Sequence, residues 1–245
     1  FQIFDGVQGV CFGDEKLLRD KRAVLYCVVF GVCGLLFTQF TYITSITKSN
    51  SGTATVLQYL SVVIVLFVEC IAMRRLPVRR EWLAMGSCLF GTFLVATHGS
   101  VTSLYISRDG LIWGFISAAA AAAYIIIPQR LMRKWGSILP VGMGMLSGGI
   151  ACVLLMRIWT ISVSFSAQSV VMTIFVVLVG TALAFTAFLQ GTAIVGPARG
   201  NMLGCVEPLT ATLTTALFMH TAFAGMDLIG FAFILATVFI LAKKA

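Results

Sequence analysis

The chain has 245 residues, of which 59% are apolar and 11% charged. A soluble domain runs nearer half apolar and a quarter charged, so there is too little polar surface here to cover a water-facing globule. That balance excludes an ordinary soluble enzyme, a disordered chain and a secreted disulfide scaffold, and makes lipid the solvent of most of the molecule. The 17 Lys and Arg against 9 Asp and Glu leave a net charge of +8. These cations sit in short clusters between apolar runs, which is how membrane proteins fix their orientation, so no nucleic-acid partner is expected.

In chain order, residues 1–12 are apolar but interrupted by Asp5, Gly6, Gln8 and Gly9. They read as the tail of a preceding helix entering a loop, without the basic start and cleavage site of a signal peptide. Windows of about 20 apolar residues then predict eight spanning helices. The first four cover 23–44, 52–72, 82–96 and 110–127, and the later four 139–155, 170–190, 200–219 and 224–241. An all-α, polytopic bundle in a lipid bilayer follows.

Counting Lys and Arg in alternate connections orients it. One side holds 14: Lys16, Arg19, Lys21, Arg22, Arg74, Arg75, Arg79, Arg80, Arg130, Arg133, Lys134, Arg199, Lys243 and Lys244. The other holds only Lys48, Arg108 and Arg157. The cation-rich side is expected to be cytoplasmic, with both ends of this chain on it. Gaining or losing one span would scramble the split.

Laying 51–82 over 197–228 reveals a weak internal repeat. Gly52-Thr53-Ala54-Thr55-Val56-Leu57 faces Ala198-Arg199-Gly200-Asn201-Met202-Leu203, each a small-residue entry to a helix after a tight polar turn. Five helices separate the copies, an odd number, so the second copy should be inverted across the bilayer. Inverted repeats let two related halves exchange inward-open and outward-open shapes, as secondary transporters do. The expected organisation is the last three helices of one five-helix unit in 1–104 and a whole second unit in 105–245. Two helices of the first unit would then precede this sequence.

The segments Ser51-Gly-Thr-Ala-Thr-Val-Leu-Gln-Tyr-Leu-Ser61 and Gly196-Pro-Ala-Arg-Gly-Asn-Met-Leu-Gly-Cys-Val-Glu-Pro-Leu209 resemble the matching helix starts of EamA-type members of the drug/metabolite transporter superfamily. Leu111-Ile-Trp-Gly-Phe-Ile-Ser-Ala118, followed by Tyr124 and Arg130-Leu-Met-Arg-Lys-Trp-Gly136, resembles the opening of that family's second half. The resemblance implies two inverted five-helix repeats that carry small metabolites, amino acids among them, across a membrane. Three departures stand out. Val62 replaces a usual Pro that Pro208 keeps in the second copy, and Arg74 and His220 stand where a Glu commonly closes a helix. The third is the absence of the first two helices.

Ionisable groups inside a bilayer cost several kcal/mol unless they face water or a partner. Glu207 lies about 10 Å inside its helix at 1.5 Å per residue. It reads either as a substrate or proton contact or as a structural partner of Arg199. Pro208 beside it removes a backbone donor and frees a carbonyl one turn earlier. Glu69 stands one turn from Arg74 and Arg75, where an interfacial ion pair is expected. Gln39 and Tyr42, three apart on one helix face, join Gln58, Tyr59, Ser61, Trp113, Tyr124, Gln190 and Asn201 as candidate cavity-lining groups. Interhelical hydrogen bonding is the competing account of each. The run 118–123, with Gly86, Gly91, Gly142, Gly144, Gly148 and Gly149, removes bulk and lets helices approach.

The seven cysteines show no zinc or redox spacing and read as buried free thiols. His98 and His220 fall near helix ends on the expected outer side. No Ser-His-Asp order or acid pair points to hydrolysis, and no phosphate-cradling loop occurs. No enzyme, cofactor or metal is therefore implied. The expected function is secondary transport, as an exporter of small polar metabolites in a bacterial plasma membrane, with Glu207 open to proton coupling. Alternatives are a nucleotide-sugar or triose-phosphate type carrier, which needs cations deep in the bundle, and a non-transporting assembly protein. A membrane-embedded lipid transferase would need acids or His clustered at one face. Oligomeric state is not legible.

Overall fold

The computed structural model describes residues 15–97, 107–160, 166–219 and 225–242. His98, His220, both termini and the predicted tail at 1–12 lie outside the described residues. Nearly all described residues are helical, and no strand occurs among them. Helices occur in each of the eight predicted ranges among the described residues, the range 200–219 being divided at Cys205. Five stretches are long and apolar enough to cross a membrane: Lys21–Lys48, Ser51–Ala72, Arg108–Trp135, Ile138–Met156 and Ala167–Val195.

We number these with the remaining helices in chain order. They are α1 (Lys21–Lys48), α2 (Ser51–Ala72), α3 (Arg79–Thr97), α4 (Arg108–Trp135), α5 (Ile138–Met156) and α6 (Ala167–Val195). After them come α7 (Pro197–Gly204), α8 (Val206–Met219) and α9 (Gly225–Ala242). Element boundaries follow local chemistry. Asp20 caps α1 by accepting from the Arg22 and Ala23 N–H groups at 3.0 and 3.4 Å. Asn50 caps α2 by accepting from the Thr53 N–H at 2.7 Å. These side chains satisfy donors that the helix itself leaves open.

Two long helices each contain a π-helical stretch, at Phe30–Leu36 in α1 and at Val176–Leu183 in α6. Runs this long are rare, since the wider turn sacrifices packing inside the helix. The succession of α-turn, π-turn, α-turn and short capped helix thus recurs. Lys21, Phe30 and Ser51 open the same elements as Ala167, Val176 and Pro197, each 146 residues later.

The chain divides into two units, Phe1–Phe37 with Ala123–Val195 and Thr38–Ala122 with Gly196–Ala245. In the first unit, α5 packs against the π-turn of α1 through glycine contacts. A Cβ on Gly148 would stand 2.8 Å from the Gly31 carbonyl oxygen, and one on Gly144 2.6 Å from the Phe30 ring. Gly142 and Gly149 face open space, so only half of that glycine set serves close approach. Phe30 is fully buried there and Tyr124 stacks on it, with Phe188 and Phe185 completing the cluster. A second core gathers Leu17, Ala23, Cys27 and Leu131 under Trp135 and Met143. The window of α6 that is apolar enough to span has no buried residue, as a lipid-facing segment would.

The second unit is built on α3 and α9. Gly91 and Gly230 bring these helices together, whereas Gly86 has nothing near it. Val95, Leu209, Phe231 and Ile234 form the adjoining core, and Phe90 meets Phe233 edge to face at 4.9 Å. Ser87 donates to the Phe233 carbonyl at 2.7 Å. Cys88 of α3 is joined to Cys205, between α7 and α8, by a disulfide across 117 residues. This corrects the expectation that every cysteine is a free thiol. Residues so far apart carry no sequence signal of their pairing, because the fold alone brings them together.

Candidate functional site

Nine of the eleven singled-out residues belong to the second unit: Gln39, Tyr42, Gln58, Tyr59, Ser61, Trp113, Asn201, Glu207 and Pro208. They come from four chain segments, because α2 bends at Tyr59–Leu60 and the second copy breaks at Cys205. The first bend needs no proline. Beyond Tyr59 the chain tightens by one residue per bond, with Val62 and Val63 donating to the Tyr59 and Leu60 carbonyls at 3.0 Å.

Pro208 acts at the second break. Having no N–H, it cannot donate to the carbonyl of Gly204, four residues back. The Tyr59 hydroxyl instead lies 3.4 Å from that oxygen. The same hydroxyl is within hydrogen-bonding reach of the Glu207 carboxylate. One hydrogen therefore stands among several acceptors. Glu207 itself is accessible at the first turn of α8. It forms no ion pair with Arg199 among the described residues.

Around this pair the polar groups are ordered by short contacts. Tyr42 and Thr55 share a hydrogen bond at 2.9 Å. Gln58 Nε2 donates to Ser117 Oγ at 3.2 Å, and Asn201 Nδ2 to Ser61 Oγ at 3.4 Å. Gln39 is exposed on α1, and Trp113 meets Phe40 edge to face at 6.1 Å. Thr55 and Ser117 were not singled out from the sequence. Thr55 had a usable signal, since it faces Asn201 in the repeat alignment.

Tyr124 and Gln190 lie in the first unit. Tyr124 is buried in the aromatic cluster, a packing environment. The Gln190 Oε1 is buried with no hydrogen-bond partner, and so is that of Gln129. Gln129 Nε2 donates to Thr192 Oγ1 and to the Ile125 carbonyl, both at 2.9 Å. That second bond serves a carbonyl beside the interruption at Pro128.

Glu69 does more than pair with a neighbouring arginine. Helix α2 ends with Arg74 in the left-handed region (φ 51), and the Arg75 N–H returns to the Cys70 carbonyl at 3.0 Å. That C-cap turns Arg75 back along the helix end. Its guanidinium grips Glu81 with two bonds of 2.7 and 2.8 Å and stands 3.8 Å from Glu69. Glu69 then accepts the Ala198 N–H at 2.7 Å. Gly196 (φ 99) and Pro197 open α7 without a capping side chain, and Glu69 supplies one from α2. Burial pushes the Glu81 carboxyl up, but the Arg75 bonds, the Val78 N–H and the charges of Arg75 and Arg199 outweigh it and hold the group below its ordinary value. The same grip holds the Arg75 guanidinium above its ordinary value.

Among the described residues no cluster of three His, Cys, Asp or Glu could hold a metal. Every described Lys and Arg lies at or near the end of an element.

Comparison with known proteins adds an independent finding. The model of the EamA-like transporter family matches residues 9–97 and again 108–243. The uncharacterized inner membrane transporter YicL of Salmonella typhimurium (strain LT2) is 34% identical over 245 residues, covering 98% of this chain and 82% of that protein. A solved crystal structure superposes with a TM-score of 0.77 at 15% identity, over 93% of this chain and 80% of that one. That last likeness is one of fold.

Proposed function

Because the chain belongs to the EamA-like transporter family, and is thereby a multi-pass membrane transporter, we propose that it exports small polar metabolites such as amino acids by alternating access. The observation that carries this reading is the gathering of Tyr42, Gln58, Tyr59, Asn201 and Glu207 on interrupted helices of one unit. Interrupted helices are how transporters expose backbone carbonyls and polar side chains to cargo at membrane depth. The return of π-turns and short capped helices after 146 residues supports two related halves, 1–104 and 105–245. An inverted relation between them would supply the two exchangeable shapes. In this reading the 14 cations face the cytoplasm of a bacterial plasma membrane, with both ends of the chain on that side. Chemistry on the cargo has no place in it.

Glu207 is assigned the role of cargo contact and proton site. Uptake of a labelled metabolite panel into proteoliposomes, with the chain intact or carrying Glu207→Gln, tests this. The intact protein should move at least one solute with a pH-dependent rate, and the variant should lose that dependence. Unchanged transport and pH profile in Glu207→Gln would remove Glu207 from the mechanism.

A further inference from the structure

The groups around Glu207 are unbalanced in charge and in hydrogen-bond type. Glu207 offers two carboxylate oxygens, and beside it stand the Gly204 carbonyl and the Tyr59 oxygen. Against these acceptors the Tyr59 hydroxyl brings one hydrogen. The neighbouring amides each direct one N–H to a serine, Gln58 Nε2 to Ser117 and Asn201 Nδ2 to Ser61. The starts of α2 and α7 are already capped, by Asn50 and Glu69. The nearest cation along the chain, Arg199, is eight residues before Glu207, about 12 Å along a helix at 1.5 Å per residue. A carboxylate at this depth is compensated by a proton or by a cation brought from outside.

We propose that Glu207, Tyr59 and the Gly204 carbonyl form an ammonium subsite that selects organic amines whose remainder is neutral. This rests on the reading that the polar groups of the second unit meet cargo, and it narrows that cargo from amino acids to amines. An –NH3⁺ group carries three donors and one positive charge, which complements the surplus acceptors and the unpaired carboxylate. The described Lys and Arg of the second unit stand at or near the ends of their elements and none is paired with Glu207, so a carboxylate on the cargo finds no partner cation at the subsite. A zwitterion therefore binds more weakly than the matching amine, and an anion more weakly still.

Calorimetric titration of the purified full chain in detergent tests the charge preference with three ligands that share one ring and chain. These are phenethylammonium, phenylalanine and hydrocinnamate at pH 7. Phenethylammonium should bind at least tenfold more tightly than either of the others. Glu207→Gln should weaken it at least tenfold, Glu207→Asp should restore part of the loss, and Tyr59→Phe should weaken it severalfold. Thermal melting of each variant confirms that it is folded. Equal binding of the zwitterion or the anion, unchanged affinity in Glu207→Gln, or no binding of the amine would each overturn the subsite. If the amine binds through Glu207 but no solute crosses proteoliposomes, the transport reading fails and the subsite stands. If solutes cross without charge preference, the subsite fails and the transport reading stands.

Discussion

Pro208 shows how one missing hydrogen shapes a site. Its effect falls at Gly204, whose carbonyl is met by a tyrosine from α2, 145 residues earlier in the chain. The sequence made the freed carbonyl legible but not the tyrosine that reaches it. Glu81 is the opposite case, since nothing in its local sequence marks it as buried. Only the left-handed turn at Arg74 makes Arg75 available to it. The pH dependence follows from the sign of its shift. A carboxyl held below its ordinary value contributes stability that is fully present above the unfolded value and is lost as pH falls through the folded one. Melting of the detergent-solubilised protein should therefore hold at neutral pH and weaken as pH falls from the ordinary carboxylate value toward the lower value of the folded state. Arg75→Ala leaves Glu81 buried without its partner, a loss of about 2 kcal/mol once the partial exposure of Arg75 is allowed for. In that variant burial is no longer offset, the Glu81 carboxyl moves up and its protonation favours the folded state, so the deficit against the intact chain should shrink as pH falls. An unchanged melting curve would show that the pair holds nothing in place.

At the scale of elements, the close passage of α5 against the π-turn of α1 depends on particular glycines. Gly148 faces the backbone of Gly31, which cannot move aside as a side chain could, whereas Gly149 faces open space. Gly148→Val should destabilise by about 1–3 kcal/mol through overpacking, and Gly149→Val should leave the melting temperature nearly unchanged. Equal effects would place the contact elsewhere. Sequence reading located these helices well because apolar runs report burial in lipid directly. It was silent on the π-turns, whose residues are as apolar as their neighbours, and on which glycines touch a partner. The capping of α7 by Glu69 was equally hidden, because the acid and the helix start it serves are 129 residues apart. An asymmetry follows from that contact. The start of α2 is held by its own Asn50, while the corresponding start of α7 is held by a side chain already engaged with Arg75.

For the whole molecule, composition alone decided the solvent, and the family match agrees with the residue patterns that first pointed to a transporter. The candidate site was legible as a set of residue types, but its grouping was not. Tyr124 and Gln190 belong to a different unit from the other nine, since the later turns of α4 and the whole of α6 fall in the first unit. Tyr124 was grouped with the cavity candidates from its residue type alone. Here its ring is held among Phe30, Phe185 and Phe188. Membrane carriers and channels differ in one respect that bears on the account as a whole, because a carrier returns loaded faster than empty. Counterflow in proteoliposomes measures this most directly. Vesicles preloaded with an unlabelled transported solute should accumulate the labelled solute transiently above its equilibrium level, and Glu207→Gln should abolish the overshoot. Labelled solute that rises only to equilibrium, at the same rate with or without preloading, would contradict alternating access.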